Sequence, residues 1–244
     1  GLKAELIDIS NPKIHIKSRI ITNSHIGISS FRRFSSAIIT DSKIMNSKIE
    51  LTASQALLSG EKCSMYESEA TLMSGSSKQR NIIYGCSIEK SDISILASDI
   101  KELFEVDLVK VNLNKSDFTV FAFSSEKPNK PGEKTASFPL VKFKNVEIIN
   151  SNIKLGGEIK IHSGKIIDSA VTIYTWGTEK GPVLSIGELG DCQGITLSGN
   201  YVADKPVRLE VNCPQSTDLS GANFSKLNLS NPRELDKLAL PPIR

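Results

Sequence analysis

The chain has few of the residues on which active sites and large compact cores are usually built. Aromatic residues make up only 6% of its 244 residues, which is too few for a β-sandwich core of large side chains. Its four cysteines have no C-x-x-C spacing, so a zinc site is not supported. Neither G-x-x-x-x-G-K-S/T nor G-x-G-x-x-G occurs, so the usual phosphate and dinucleotide loops are missing. We therefore expect no metal and no cofactor.

Long apolar runs and a strong net charge are missing as well. No run approaches the roughly 20 residues that span a bilayer, so no transmembrane segment is expected. Residues 1–10 include Lys3, Glu5 and Asp8, and they do not contain the apolar stretch of a signal peptide. The 30 basic and 27 acidic residues give a net charge of +3. This balance does not indicate a nucleic-acid partner.

Apolar residues instead recur at every fifth position. The clearest run of these slots is Ile83, Ile88, Ile93, Leu103, Leu108, Leu113, Phe118 and Phe123, with a polar residue only at Ser98. A period of five fits neither a helix nor a long strand, but it fits a short strand followed by a corner. Such units wind into a coil whose apolar residues stack inside, which is the arrangement of a solenoid.

The same register returns later in the chain. It is clearest in T-D-L-S-G, A-N-F-S-K and L-N-L-S-N near the C-terminus, whereas polar slots between 158 and 168 predict a slip of two residues there. The predicted structural core comprises Ile88, Ile93, Leu103, Leu108, Leu113, Phe118, Ile148, Ile153, Leu219, Phe224 and Leu229.

These units resemble the pentapeptide-repeat family, whose unit is roughly A-D/N-L-x-x. The best matches are residues 217–231 and 106–120. The resemblance implies a right-handed quadrilateral β-helix with four units per turn, and a less regular parallel β-helix is the alternative. The predicted fold is all-β: a right-handed parallel β-helix, pentapeptide-repeat-like, with irregular coils and a short C-terminal cap.

The repeat predicts a single β-helix domain over residues 1–231. Residues 124–139, with three prolines and alternating charge, are predicted to form an insertion loop, either a simple excursion or a partner-binding or cleavable loop. Residues 53–80 do not keep the period and are interpreted as irregular coils or a short helix. Residues 232–244 leave the repeat at a proline and form a C-terminal cap or a linker.

Candidate site residues are few. Cys192, in G-D-C-Q-G, and His162 could form a Cys–His nucleophile pair, but no known signature surrounds either residue. Arg32, Arg33 and Phe34 belong to a basic N-terminal cluster with Lys13, Lys17 and Arg19. That cluster is either solvated surface or a binding site for an acidic partner or an anionic lipid headgroup.

Three functions remain open. The Ser/Asn/Ile-rich, interrupted repeats resemble the β-helix portions of effectors that enteric bacteria secrete. The first hypothesis is therefore a non-catalytic protein-interaction scaffold, a domain of a bacterial effector that acts on a host protein inside the host cell; a bacterial cytoplasmic location is the alternative. The second is a β-helix enzyme, a groove hydrolase or lyase or a Cys-dependent enzyme, using residues in 174–213. The third is a structural or adhesin segment that self-associates through its coil ends.

Overall fold

The described part of the protein consists mostly of short parallel strands. The computed structural model describes residues 13–29, 35–74, 79–98, 104–123, 139–174, 182–187, 194–212 and 214–238. This part of the chain contains two short 3-10 helices, Pro214–Ser216 and Pro232–Leu238, and no α-helix. The strands are β1 (Lys13–Lys17), β2 (Ile20–Thr22), β3 (His25–Ser29), β4 (Ser36–Thr40), β5 (Lys43–Met45), β6 (Lys48–Thr52), β7 (Gln55–Ser59), β8 (Ser64–Tyr66), β9 (Glu69–Ser74), β10 (Gln79–Tyr84), β11 (Ser87–Glu89), β12 (Asp92–Ser98), β13 (Phe104–Val109), β14 (Asn112–Asn114), β15 (Asp117–Phe123), β16 (Pro139–Lys144), β17 (Val146–Ile149), β18 (Asn152–Gly156), β19 (Glu158–Ile161), β20 (Gly164–Tyr174), β21 (Val183–Ile186), β22 (Ile195–Ala203), β23 (Arg208–Val211) and β24 (Thr217–Lys226).

Three successive strands make one coil, and the coils stack in register. Face A consists of β1, β4, β7, β10, β13, β16, β19, β21 and β23. Face B begins with β2, β5, β8, β11, β14 and β17, and face C with β3, β6, β9, β12, β15 and β18. Strand β20 continues both faces, because its first half pairs with β17 and its second half with β18. All of these pairings are parallel, so the prediction of an all-β parallel β-helix is confirmed.

The coil has three strands rather than the four sides that the family resemblance implies. Strands of face B have three or four residues as far as β17, the length of a pentapeptide side without its corner. Strands of face C have five to seven residues as far as β18, so one long side replaces two short ones. Equivalent serines in adjacent coils are 18 to 35 positions apart, a spread that a strict pentapeptide coil would not show.

The five-residue register corresponds to the inside of faces A, B and C in turn. Leu108 lies inside face A, Leu113 inside face B and Phe118 inside face C, each at most 1% exposed. The neighbouring coils place Ile88 and Ile148 beside Leu113, and Ile93 and Ile153 beside Phe118. Leu103 lies outside the described residues. Leu219, Phe224 and Leu229 are only partly buried, because they belong to the last described coil and have neighbours on one side only.

Residues 53–80, where the period is lost, contain a coil of the same kind. Strands β7, β8 and β9 form it, and Leu58, Met65 and Leu72 are each 1% exposed inside it. The corner between β7 and β8 has four residues, 60–63, instead of two. This insertion changes the spacing between the inward residues of the two strands, Leu58 and Met65, from five to seven, which is why the repeat is hidden in the sequence.

The corner between a face B strand and the following face C strand, which we call the B–C corner, has the same construction in seven coils. The A–B and C–A corners are named in the same way. The first residue of the B–C corner takes a left-handed conformation with φ between 45° and 49°, at Asn23, Asn46, Glu67, Lys90, Lys115, Asn150 and Asp168. The next residue is always serine, namely Ser24, Ser47, Ser68, Ser91, Ser116, Ser151 and Ser169. The backbone N–H of each serine from Ser24 to Ser151 donates to the hydroxyl of the serine in the following coil, at 3.1–3.2 Å. We call this row the serine ladder.

Side chains from residues 231–234 cover the last strand of face A. The Asn231 amide oxygen accepts the N–H of Leu209 at 2.9 Å, and its amide nitrogen donates to the carbonyl of Leu209 at 2.7 Å. Glu234, in the 3-10 helix, accepts the N–H of Val211 at 3.2 Å. Asn231 therefore replaces a neighbouring strand for the edge of β23, which would otherwise present unpaired backbone groups.

Candidate functional site

The three corners of the coil differ in how much the length of the connection varies from one coil to the next. Every B–C corner from β2 to β18 has two residues, and no A–B corner as far as β20 has more than four. The C–A connections range from one residue, Gly157, to the fifteen residues 124–138; the others are 30–35, 53–54, 75–78, 99–103, 175–182 and 204–207. We call the C–A corner the variable edge. Insertions in a solenoid that collect on one side mark the surface that differs between coils.

Two segments for which the sequence leaves a binding role open are connections of this edge. Arg32, Arg33 and Phe34 belong to the connection between β3 and β4, and residues 124–138 connect β15 to β16. Both segments lie outside the described residues, so their side chains are not placed. The strands that they connect, β3 to β4 and β15 to β16, nevertheless end and begin at the same edge of the solenoid, although Phe34 and the start of the second segment are 90 positions apart.

An apolar row lies on the outside of face A next to the variable edge. Ile38, Leu57 and Ile82 occupy equivalent outward positions in three successive coils. All three are half-buried. They alternate with the inward residues of the same strands, such as Ala56 and Leu58, so they are not part of the core.

A second apolar row lies on the outside of face C, on the other side of the variable edge. Met73, Leu96 and Phe121 stack in successive coils. Tyr174 lies further along the same row, and its ring centroid is 6.1 Å from that of Phe121. Gly156 lies between the two in the strand register, so the rings meet across a position without a side chain. The variable edge is thus bordered by aliphatic side chains on one side and by aliphatic and aromatic ones on the other.

Only one member of the candidate catalytic pair, His162, lies in the described part of the chain. His162 directly follows β19, is half-buried, and donates its backbone N–H to the carbonyl of Phe143 at 2.8 Å. Cys192 lies outside the described residues, so the Cys–His pair stays a prediction. The enzyme hypothesis for residues 174–213 would use acidic side chains such as Glu179, Glu188, Asp191 and Asp204. Of these four, Asp204 is exposed after β22, and the other three lie outside the described residues.

Two other cysteines do stack on each other, but they are in the core. Cys63 and Cys86 occupy equivalent inward positions of the A–B corner in adjacent coils, and they are 2% and 1% exposed. The Cys86 sulfur lies 3.5 Å from the carbonyl oxygens of Leu58 and Tyr84. Burial, together with the neighbouring Cys63, raises the pKa of the Cys86 thiol far above its ordinary value. A thiol in this state is protonated and is not a nucleophile.

Three carboxylates form a column at the start of face C. Glu69, Asp92 and Asp117 are in register in successive coils, and Asn152 donates its amide to Asp117 at 2.7 Å. Partial burial, followed by the charges of Asp117 and Glu69, raises the pKa of Asp92. No set of three or more His, Cys, Asp or Glu side chains in the described ranges is arranged to hold a metal ion.

We expect Asp92→Asn to stabilise the protein slightly at neutral pH. Because the pKa of Asp92 is raised in the folded state, its ionisation opposes folding. This free-energy penalty is absent below the usual carboxyl pKa of about 4 and grows as the pH rises. Relief of cross-strand repulsion of about 0.5 kcal/mol corresponds to a melting temperature roughly 1–2 °C higher at pH 7. Thermal unfolding at pH 3 should show no difference between the variant and the wild type, and an equal gain at both pH values would contradict this account.

The apolar rows were missed in the sequence, although a signal for them exists. Leu57, Ile82 and Leu96 each stand directly beside an inward residue, in A-L-L, I-I and S-I-L. Two adjacent apolar residues in a strand put one of them outside, because alternate residues face opposite ways. Period-five counting assigns only the inward residue and passes over its neighbour.

Comparison with known proteins gives no family. No protein-family model matches the chain, and no curated protein matches it significantly in sequence. A search for membrane-spanning helices finds none of sufficient length and apolarity in the described residues.

Proposed function

We propose that this protein is a non-catalytic scaffold that binds another protein along the variable edge. The proposal rests on one observation. Through the first seven coils, the C–A connections at one edge vary widely in length, while the B–C corners keep a constant length. Connections carried on a rigid framework are the usual place of recognition in repeat proteins. The pentapeptide-like side on face B is part of that framework.

The two apolar rows support the same surface. Interface cores are enriched in aromatic residues and methionine and depleted of charge. The outer row of face C contains methionine and aromatic residues, namely Met73, Phe121 and Tyr174, together with Leu96. The outer row of face A is aliphatic, with Ile38, Leu57 and Ile82. A partner lying along the variable edge would contact both rows together with the connections between them.

We further propose that the partner is a protein of a host cell and that the chain is a domain of a secreted bacterial effector. The support is the style of the repeat, which is rich in Ser, Asn and Ile and is interrupted by long connections. The five-residue inner register of faces A and B is the part of the coil that most resembles a pentapeptide repeat. Three strands per coil depart from the regular form of that family.

A photo-crosslinking amino acid placed along the edge tests the location of the interface. We expect the residue at position 57 or 96 to give discrete heteromeric adducts in host-cell lysate. The matched control is position 112, where Asn112 is exposed on face B, away from the variable edge. Equal adducts from all three positions, or adducts only between copies of this chain, would contradict the proposal; the second result would favour the self-associating structural segment.

A further inference from the structure

The first described coil, residues 13–29, differs from the following coils in its charge. It contains Lys13, Lys17 and Arg19, the two histidines His15 and His25, and no acidic residue. Each later coil as far as β20 contains at least one acidic residue. The nearly balanced charge of the whole chain therefore conceals a basic first described coil.

Three cations lie close to an exposed isoleucine, in sequence or in strand register, at the outer corner between faces A and B. Strand β1 ends at Lys17, and Ser18, with φ of 51°, turns the chain from face A to face B. Arg19 and Ile20 follow, and Lys43 of the next coil is in register with Ile20. Ile20 is 76% exposed, the most exposed large apolar side chain in the described residues.

These cations are not neutralised by neighbouring carboxylates. Within the described ranges no ion pair is formed by Lys13, Lys17, Arg19 or Lys43, whereas Lys48 pairs with Glu50 at 2.9 Å. Among the described residues, the acidic side chain nearest to the corner in sequence is Asp41, and its carboxylate lies over Gly60 in the third coil, on the side away from β1. No described carboxylate therefore neutralises the charges of the corner.

The shape of this corner decides between anionic partners. An acidic peptide is best held in a groove, where its carboxylates reach cations from several sides. A convex corner with an aliphatic tip and surrounding cations instead suits a bilayer surface, where the tip enters the interfacial region and the cations contact lipid phosphates. We propose that this corner, made of Lys17, Arg19, Ile20 and Lys43, is a contact site for an anionic phospholipid membrane.

Vesicle co-sedimentation of the whole chain tests the site. We expect binding to vesicles of phosphatidylcholine mixed with phosphatidylserine, little binding to phosphatidylcholine alone, and loss of binding at high salt. Each basic residue near an anionic surface contributes about fivefold to partitioning, so loss of three should weaken binding about 100-fold. The triple variant Lys17→Glu, Arg19→Glu, Lys43→Glu also adds repulsion and should bind at least that much more weakly. The matched control reverses three exposed cations of distant coils, Lys115→Glu, Lys154→Glu and Lys165→Glu, and should bind nearly as well as the wild type.

A second variant separates membrane contact from charge attraction alone. Ile20→Ser keeps every cation, and we expect it to weaken binding to the anionic vesicles several-fold, because the aliphatic tip no longer enters the interface. Unchanged binding of Ile20→Ser together with capture of the chain by soluble poly-glutamate would identify an acidic polypeptide as the partner and overturn the proposal. Failure of the wild type to bind anionic vesicles, or an equal loss in the control triple variant, would overturn it too.

Discussion

The variant Leu113→Lys is expected to be insoluble or unfolded under conditions in which the wild type is folded. Leu113 is 1% exposed and lies between Ile88 and Ile148 in the stacked interior of face B. A lysine there would place a charge among aliphatic side chains with no carboxylate to pair with it. A buried unpaired charge costs on the order of 5 kcal/mol, which is comparable to the whole stability of many domains.

The control for this experiment is one residue away. Asn112 is exposed, and its neighbours in register are Ser87 and Glu147. Asn112→Lys should therefore change the melting temperature by no more than about 1–2 °C, because it adds a solvated charge beside a carboxylate. The measurement is thermal unfolding by circular dichroism, with size-exclusion chromatography of the soluble fraction. Similar behaviour of the two variants would mean that the inward assignment of Leu113 is wrong.

The five-residue register predicted the inside of the solenoid well where both short corners have two residues. Between Leu108, Leu113 and Phe118, the chain passes two such corners, and the spacing of the inward residues is set by geometry alone. The same holds from Ile83 to Ile93. A three-residue strand, such as β14, together with a two-residue corner makes one unit of five. The count therefore reflects a physical constraint on the chain.

The number of sides could not be predicted in this way. The third side ends in a connection of variable length, so the register restarts in every coil and a simple count cannot tell whether a fourth side follows. After Ile93, the next inward residue is Ile95, on the same long strand, rather than a residue five positions on. The polar slot at Ser98 belongs to the end of that strand, so it marks the place where the period stops applying.

The proposed recognition surface was predictable only in part, because it depends on contacts between coils. The basic segment with Phe34 and the proline-containing insertion stand out in composition, and the strands that each of them connects meet at one edge. The rows that border this edge arise from stacking: Leu57 meets Ile82 only because their coils are in register across 25 positions. That separation depends on the lengths of the connections, which no local pattern specifies.

The contribution of the serine ladder to stability could not be predicted from the sequence either, because its hydrogen bonds form between stacked coils. Ser91 receives the N–H of Ser68 at 3.2 Å and donates its hydroxyl to the carbonyl of Glu89 at 2.8 Å. Its own N–H donates to the hydroxyl of Ser116 at 3.2 Å. The A–B corner has no such uniform row, since Val111 and Val146 occupy its inward positions. The serine hydroxyl at the B–C corner therefore accepts the backbone amide of the preceding coil, which an aliphatic side chain in the same place could not do.

Ser91→Ala should destabilise the protein by about 1–3 kcal/mol, because the buried N–H of Ser68 loses its acceptor. Ser87→Ala is the matched control: Ser87 is exposed on the outside of β11, four residues away, and its replacement should be nearly neutral. Amide hydrogen exchange gives a local test, since the Ser68 amide should lose protection in Ser91→Ala while the Ser91 amide, still bonded to Ser116, keeps it. Equal protection of the Ser68 amide in wild type and variant, with unchanged melting temperature, would show that the ladder contributes nothing to stability. If the predicted pattern is observed, the left-handed corner and its serine act as one unit that fixes the register of each coil against the next.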